Sequence, residues 1–256
     1  MQNCFSQIPK GKKIYIASDF HIGAPNRKES LLREKKIITW LSQIEDTAHG
    51  IILAGDVFDF WFEYKTVVPK GAIRLLGKLA ELSDSGIPIA FFAGNHDLWL
   101  KDYLSKELGA IIYHNPVSFQ TSSMKVMIGH GDGLGPGDRK FKILKRIFTA
   151  GFNRALFRWL HPDIGVRLAN AWSSRSKKKA IKDPESFLDQ KEMLFQYCQS
   201  IEKESHHDFY IFGHRHMHLE MPINKNAIYI NIGDWVNLFT YAEIDDKTVN
   251  VKRFED

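Results

Sequence analysis

Five short segments of this sequence offer side chains able to bind divalent metals: Asp19-Phe20-His21, Gly55-Asp56, Gly94-Asn95-His96-Asp97, Gly129-His130-Gly131 and Gly213-His214-Arg215-His216. Imidazole and carboxylate together suit manganese, iron or zinc, whereas oxygens alone would favour magnesium or calcium. A carboxylate can also bridge two cations. Two metals about 3.5–4 Å apart lower the pKa of a shared water, place it for in-line attack and neutralise charge on phosphoryl oxygens. No side-chain nucleophile is then required. Any one of the segments also suits a capped turn or a hydrogen-bonded core group. Five in one chain, each closing an apolar run, point to a shared centre.

The elements that must position them are short apolar runs alternating with amphipathic stretches. Residues 13–18, 51–54, 87–93 and 126–129 read as buried strands. Residues 29–44, with Leu32, Ile37, Trp40, Leu41 and Ile44 on one stripe, and residues 72–82, with Ile73, Leu76, Leu79 and Ala80, read as helices. Loops at the carboxyl ends of neighbouring strands converge in such folds. The glycine before each later ligand predicts a sharp turn that aims the next side chain across the strand edge. Residues 209–212, 227–232, 239–244 and 248–251 predict further strands and a second sheet. Residues 139–203 lack strand signals and predict three or four helices, broken near Gly151, His161-Pro162 and Asp183-Pro184. The expected organisation is a single α/β domain over residues 1–256 with a helical insertion at 139–203.

In order and residue type, the ligand segments resemble the calcineurin-like metallophosphoesterase family, whose pattern is D-x-H, G-D-x-x-D, G-N-H-D, G-H and G-H-x-H, over about residues 13 to 235. The resemblance implies a four-layer α/β/β/α sandwich in which the insertion forms a lid. It implies two divalent ions, with manganese expected and iron or zinc as alternatives. Asp19, His21, Asp56 and His216 would hold one, and Asp56, Asn95, His130 and His214 the other, with Asp56 bridging. His96 would stand just outside the metals, stabilising the transition state or protonating the leaving oxygen, and Asp59 would orient it. A carboxylate partner predicts a raised imidazole pKa. Asp97 is read as a cap on its own loop.

Within that family the chain is similar to the UDP-2,3-diacylglucosamine pyrophosphatases of lipid A synthesis. The similarity is carried by Gly129-His130-Gly131-Asp132-Gly133 with Asp138, Arg139 and Phe141, then Arg167-Leu168-Ala169 and Ser174-Arg175-Ser176-Lys177. It implies a nucleotide-linked glycolipid as substrate, contacted by Asn95, Asp138, Arg167 and Ser176. The chain departs from that pattern at His96, where Arg is expected, and at Ala180 and Asp183, where Asn and Lys are expected. Arg167 also stands one helical turn beyond Asp163, a spacing that suits a surface ion pair.

Composition narrows the partners. The net charge is +5 over 256 residues, yet residues 139–182 hold thirteen Lys or Arg against a single acid, Asp163. An anionic partner is expected there. Within residues 139–160, Phe141, Leu144, Ile147, Phe148, Phe152, Leu156, Trp159 and Leu160 recur at helical spacing among seven basic residues and no acid. A basic amphipathic helix can lie on an anionic membrane, and as a lid the same stripe can line an acyl pocket. Packing of the insertion onto the core is the plain alternative. Nucleic-acid binding would use the same cations, but the apolar stripe among them argues against it. A soluble nucleotide is the competing substrate. A scaffold that has lost its metals should have degraded ligands, and all seven are present. The N-terminus lacks a secretory pattern and the apolar runs are short. The expected location is therefore the cytoplasm, and the resemblance to enzymes of lipid A synthesis implies a peripheral place on the cytoplasmic face of a bacterial inner membrane. Cys4 and Cys198 read as reduced thiols. His49, His114, His161, His206, His207 and His218 have no ligand spacing.

Overall fold

The alternation of apolar and amphipathic segments resolves into two sheets lying face to face in the computed structural model, which describes residues 5, 7–137, 139–168 and 189–255. The first sheet is built on β1 (Lys13–Ala17), β2 (Ala48–Leu53), β3 (Ile89–Phe92) and β4 (Ile111–Tyr113), all parallel. Their connections are α1 (Arg27–Ile44), α2 (Ile73–Asp84) and α3 (Tyr103–Leu108), as parallel neighbours require. The second sheet holds β5 (Val117–Gln120), β6 (Lys125–Gly129), β7 (Phe209–Phe212), β8 (His218–Asn224) and β9 (Ala227–Ile232) in the order β5-β6-β7-β9-β8. Its three central strands are parallel and its edges antiparallel. A C-terminal hairpin, β10 (Thr240–Ile244) and β11 (Val249–Arg253), returns to the first sheet and pairs with β1. This corrects the expectation that the C-terminal strands share one sheet. Apolar runs identify strands, but partners are chosen by which face each run buries.

Alternation along each strand sends side chains into different layers. Tyr15, Ala17, Ile51, Leu53 and Phe91 meet α1 and α2, whereas Ile14, Ile16, Ile52 and Ala90 meet Val126, Ile128, Ile211 and Ile230 of the second sheet. On that sheet's outer face, Met127, Tyr210, Phe212 and Tyr229 pack on Leu194, Phe195 and Cys198 of a further helix, Met193–Glu202. The largest buried side chains, Trp40 and Trp235 among them, each contribute about 1.5–3 kcal/mol or more from the area removed from water.

The segment expected to be one helical insertion therefore divides. Its first part forms α4 (Arg139–Thr149), α5 (Gly151–Arg158) and α6, residues 162–168, with breaks at Ala150, next to Gly151, and at 159–161, just before Pro162. Its last helix, Met193–Glu202 (α7), is a core layer under the second sheet. The Asp183-Pro184 break lies outside the described residues. No helix among the described residues is long and apolar enough to cross a membrane.

Candidate metal centre

Six parallel strands of the two sheets, β1, β2, β3, β6, β7 and β9, end on the same side, and each releases a loop with chemistry-bearing residues. The β1 loop carries Asp19 and His21, the β2 loop Asp56 and Asp59, and the β3 loop Asn95 and His96. The β6 loop carries His130, the β7 loop His214 and His216, and the β9 loop Asp234. Five of the seven expected ligands have left-handed backbone: Asp19 (φ 57°), His21 (45°), Asp56 (52°), His214 (73°) and His216 (50°). Such non-glycine conformations are costly and concentrate where the surroundings force them for function. The turn is thus made largely by the ligand itself. At Gly94 and Gly213 the glycine's contribution is space, because a Cβ there would overlap Asp56 Oδ1 and Ser18 Oγ respectively.

Donor atoms cluster in three groups, Asp19–His21–His216, Asp56–His130–His214 and His21–Asp59–His96, each within 4.8 Å. Asp19 Oδ1 lies 3.2 Å from His216 Nε2 and 3.7 Å from His21 Nε2. Asp56 Oδ2 stands between the first two groups, 3.8 Å from His21 Nε2 and 3.4 Å from His130 Nε2. All these atoms except those of His216 are buried or nearly so.

The residues fit a pair of divalent cations. Asn95 Oδ1 and His130 Nε2 are buried and make no hydrogen bond among the described residues, a costly state unless something else satisfies them. His130 Nδ1 is tied to Ala54 O at 2.9 Å and His216 Nδ1 to Asp234 Oδ2 at 2.9 Å. Both rings therefore present Nε2 to the cluster, the arrangement that orients metal-binding imidazoles. Electrostatics agrees. Burial penalises the Asp56 and Asp19 carboxylates, yet the surrounding imidazoles hold both well below the usual range. Burial lowers the His130 and His216 imidazoles, but Asp56 and Asp19 respectively outweigh it and raise each to about 10. His214 falls to about 4, through burial and then the charge of His130. The carboxylates that raise these imidazoles would equally draw cations to the cluster.

Around this set the loops are locked together. Arg33 of α1, itself buried, donates to His21 O at 2.7 Å and Ala24 O at 2.5 Å. Asp97 accepts from Gly94 N at 2.7 Å and Val57 N at 2.8 Å, so it caps its own loop, as expected, and ties it to the neighbouring one. Burial, then Asp56, raises its carboxyl to about 7.

His96 differs from expectation. Its Nδ1 meets the backbone oxygen of Asp59 at 2.9 Å, while the Asp59 carboxylate is 3.6 Å away and lies nearer His21 Nδ1, at 3.4 Å. The net pKa is lowered, because burial exceeds the pull of Asp56 and Asp59. Asp138 and Ser176 lie outside the described residues. Arg167 is exposed on α6, and Asp163 stands 3.9 Å from His161 Nδ1. Asp234 was not anticipated as a site residue; its signal was a Gly-Asp pair closing an apolar run, like Gly55-Asp56. Trp235 beside it is fully buried.

A family model described as calcineurin-like phosphoesterase matches residues 12–218. The chain belongs to the calcineurin-like phosphoesterases. It is 36% identical over 259 aligned residues, covering 95% of this chain and 98% of the other, to a UDP-2,3-diacylglucosamine hydrolase of Porphyromonas gingivalis. It is 24% identical to one of Tolumonas auensis, covering 93% and 95%. A solved phosphoesterase of E. coli aligns with TM-score 0.46 and 15% identity, over 94% of this chain and 92% of that one. This calcineurin-like phosphoesterase is accordingly a metal-dependent hydrolase, and the Asp and His groups above are its candidate metal-binding sites.

Proposed function

We propose that this protein hydrolyses the pyrophosphate of UDP-2,3-diacylglucosamine, releasing UMP and 2,3-diacylglucosamine 1-phosphate. The observation that carries this reading is an apolar face left exposed on the helical segment beside the centre. Trp159 is 89% exposed and Phe152 78%, and Ile143, Leu156, Ile164 and Leu168 are each more than half exposed. Isolated exposed apolar residues need no explanation, but a run of them marks a binding surface. The names of the two relatives, which align over nearly their whole lengths, supply a substrate with acyl chains to meet that face.

Two bound cations, with manganese as the proposed pair, would supply an activated water and neutralise phosphoryl charge. Asp19, His21, Asp56 and His216 would hold one and Asp56, Asn95, His130 and His214 the other. The residues of the chain do the rest. His96 donates Nδ1–H to Asp59 O, so Nε2 is the ring atom that takes up a proton and, from the doubly protonated ring, passes it to the departing oxygen. Asp59 fixes that ring through its backbone and faces His21 through its carboxylate. In the net reaction one P–O bond forms to water and the bridging P–O bond breaks, the protons of water ending on the two products. Asp138, Arg167 and Ser176 are proposed as contacts to the substrate. The same basic and apolar face is proposed to rest on an anionic membrane.

The test is UMP release from UDP-2,3-diacylglucosamine by purified protein with manganese, with Asp56→Asn and chelator-treated protein as controls. Release by the parent, and loss of at least about a thousandfold in both controls, is expected. An inactive parent that still cleaves soluble nucleotide esters would replace the glycolipid with a soluble substrate.

A further inference from the structure

Arg215 stands in the chain between two of the proposed ligands, His214 and His216, yet its side chain reaches Glu192 at the start of α7. Arg215 is 8% exposed and Glu192 1%. The guanidinium meets both carboxylate oxygens, Nε against Oε1 and Nη2 against Oε2 at 3.2 Å. Glu192 immediately precedes α7, and the same helix start braces the β6 loop. A Cβ on Gly131, next to His130, would come within 2.8 Å of Leu194 Cδ1, and one on Gly135 would overlap Met193 O. Three proposed ligands, His130, His214 and His216, therefore sit on loops packed against the first residues of α7. The β7 loop needs such an anchor. His214 and His216 both have left-handed backbone, φ 73° and 50°, a cost that the surroundings must offset. Arg215 N closes the turn on Gly213 O at 2.9 Å, and His214 N is tied to Asp19 Oδ2 at 2.9 Å.

Stability alone does not account for a buried pair of this kind. Taking both charges out of water offsets much of their attraction, and apolar residues of similar volume often serve as well or better. What a two-pronged guanidinium–carboxylate contact adds is direction, because both partners are planar and the fork fits in few orientations. We propose that Arg215 is a positioning residue: held by Glu192, it fixes the β7 loop so that His214 and His216 face different cations of the pair. The start of α7 then belongs to the frame of the metal centre, although it carries no ligand. The proposal rests on the two-cation reading above and extends it from the ligands to an ion pair outside the ligand set.

The experiment titrates metal-stripped protein with manganese by calorimetry and records the electron paramagnetic resonance of the loaded protein, in which a bridged pair of ions gives a spin-coupled spectrum and separated ions do not. Removing one partner of a buried pair is strongly destabilising, so the main variant removes both charges, Arg215→Met/Glu192→Leu. It should melt within about 4 °C of the parent yet bind manganese at least about tenfold more weakly, with the coupled signal diminished. Arg215→Lys keeps a cation beside Glu192 without the fork and should also lose about tenfold; it decides the matter if the double variant does not fold. Lys78→Met removes another buried cation, held on α2 by Glu45 and Glu81, and should leave manganese binding unchanged. Parent-like affinity and a full coupled signal in the folded variants would make the pair structural only and overturn the proposal. A parent that binds no coupled pair would sink the two-cation reading and the proposal with it, whereas a parent that binds one confines any failure to Arg215.

Discussion

His216 presents Nε2 to Asp19 because Asp234, fully buried, holds Nδ1 at 2.9 Å while also accepting Asn237 N and Leu238 N at 2.9 Å each. Burial raises the Asp234 carboxyl, but His216 and the two backbone donors more than offset it and leave its pKa lowered. A carboxylate partner of this kind fixes the tautomer of a metal-binding ring, and losing one costs about 10–100-fold in metal affinity. Asp234→Asn keeps an acceptor for the turn but offers N–H where the ring needs an acceptor. Manganese titration should show a loss of that size with the circular dichroism unchanged; unchanged affinity would mean His216 is held by other groups. The ligands themselves were legible from residue type, since few other roles explain so many histidines and carboxylates closing apolar runs. Asp234 was less so, because an orienting carboxylate adds no new residue type to the pattern. The sign of the His96 shift was illegible for a different reason: it depends on how burial weighs against charge, and burial is a property of the assembled layers.

Between the loops and the inserted helices lies an aromatic cluster. Phe157 of α5 meets Phe62 at 4.7 Å, Trp99 at 5.1 Å, Tyr64 at 6.4 Å and Phe60 at 6.5 Å between ring centroids. Trp99 Nε1 donates to Phe148 O at 2.8 Å. Glu63, buried, accepts from Lys101 N, Asp102 N and Tyr103 N at 2.8–3.1 Å. Phe60 follows the Asp56–Asp59 loop and Trp99 follows the Asn95–His96 loop, so two ligand loops and α5 are packed as one body. Phe157→Ala should remove several ring contacts, each worth about 0.5–1.5 kcal/mol. Hydrogen exchange in residues 143–158 should then quicken at least tenfold, about 1.4 kcal/mol, with exchange in β1, β2 and β3 unchanged. A uniform rise across the chain would argue that α5 belongs to the global core. Sequence periodicity recovered α1 and α2 but not α3, β4, β5 or β8. Three to seven residues carry too few repeats to show a period, and on β8 a single residue, Met221, is buried. Strand pairing was legible only in part, because which sheet β10 joins depends on contacts far away in the chain.

Charge and apolar exposure coincide on one region of the whole molecule. Residues 139–182 carry +12 while the rest of the chain sums to −7, and the described helices of that region expose Trp159, Phe152 and Leu156. Each half of this pattern predicts a different dependence for the proposed membrane contact. Cations near an anionic surface contribute about 1 kcal/mol each within a Debye length, roughly 8 Å at physiological salt, so binding to vesicles rich in phosphatidylglycerol should exceed binding to neutral ones and fall with added salt. Buried apolar area is insensitive to salt, so a residual affinity should persist, and Phe152→Ser with Trp159→Ser should remove it. Vesicle co-sedimentation at two salt concentrations separates the terms. If the double variant binds vesicles as the parent does but turns over the glycolipid poorly, the exposed stripe holds acyl chains of the substrate and the membrane contact is electrostatic alone. If neither variant nor salt changes sedimentation, the face does not meet a bilayer, and its exposure must be relieved by the substrate itself.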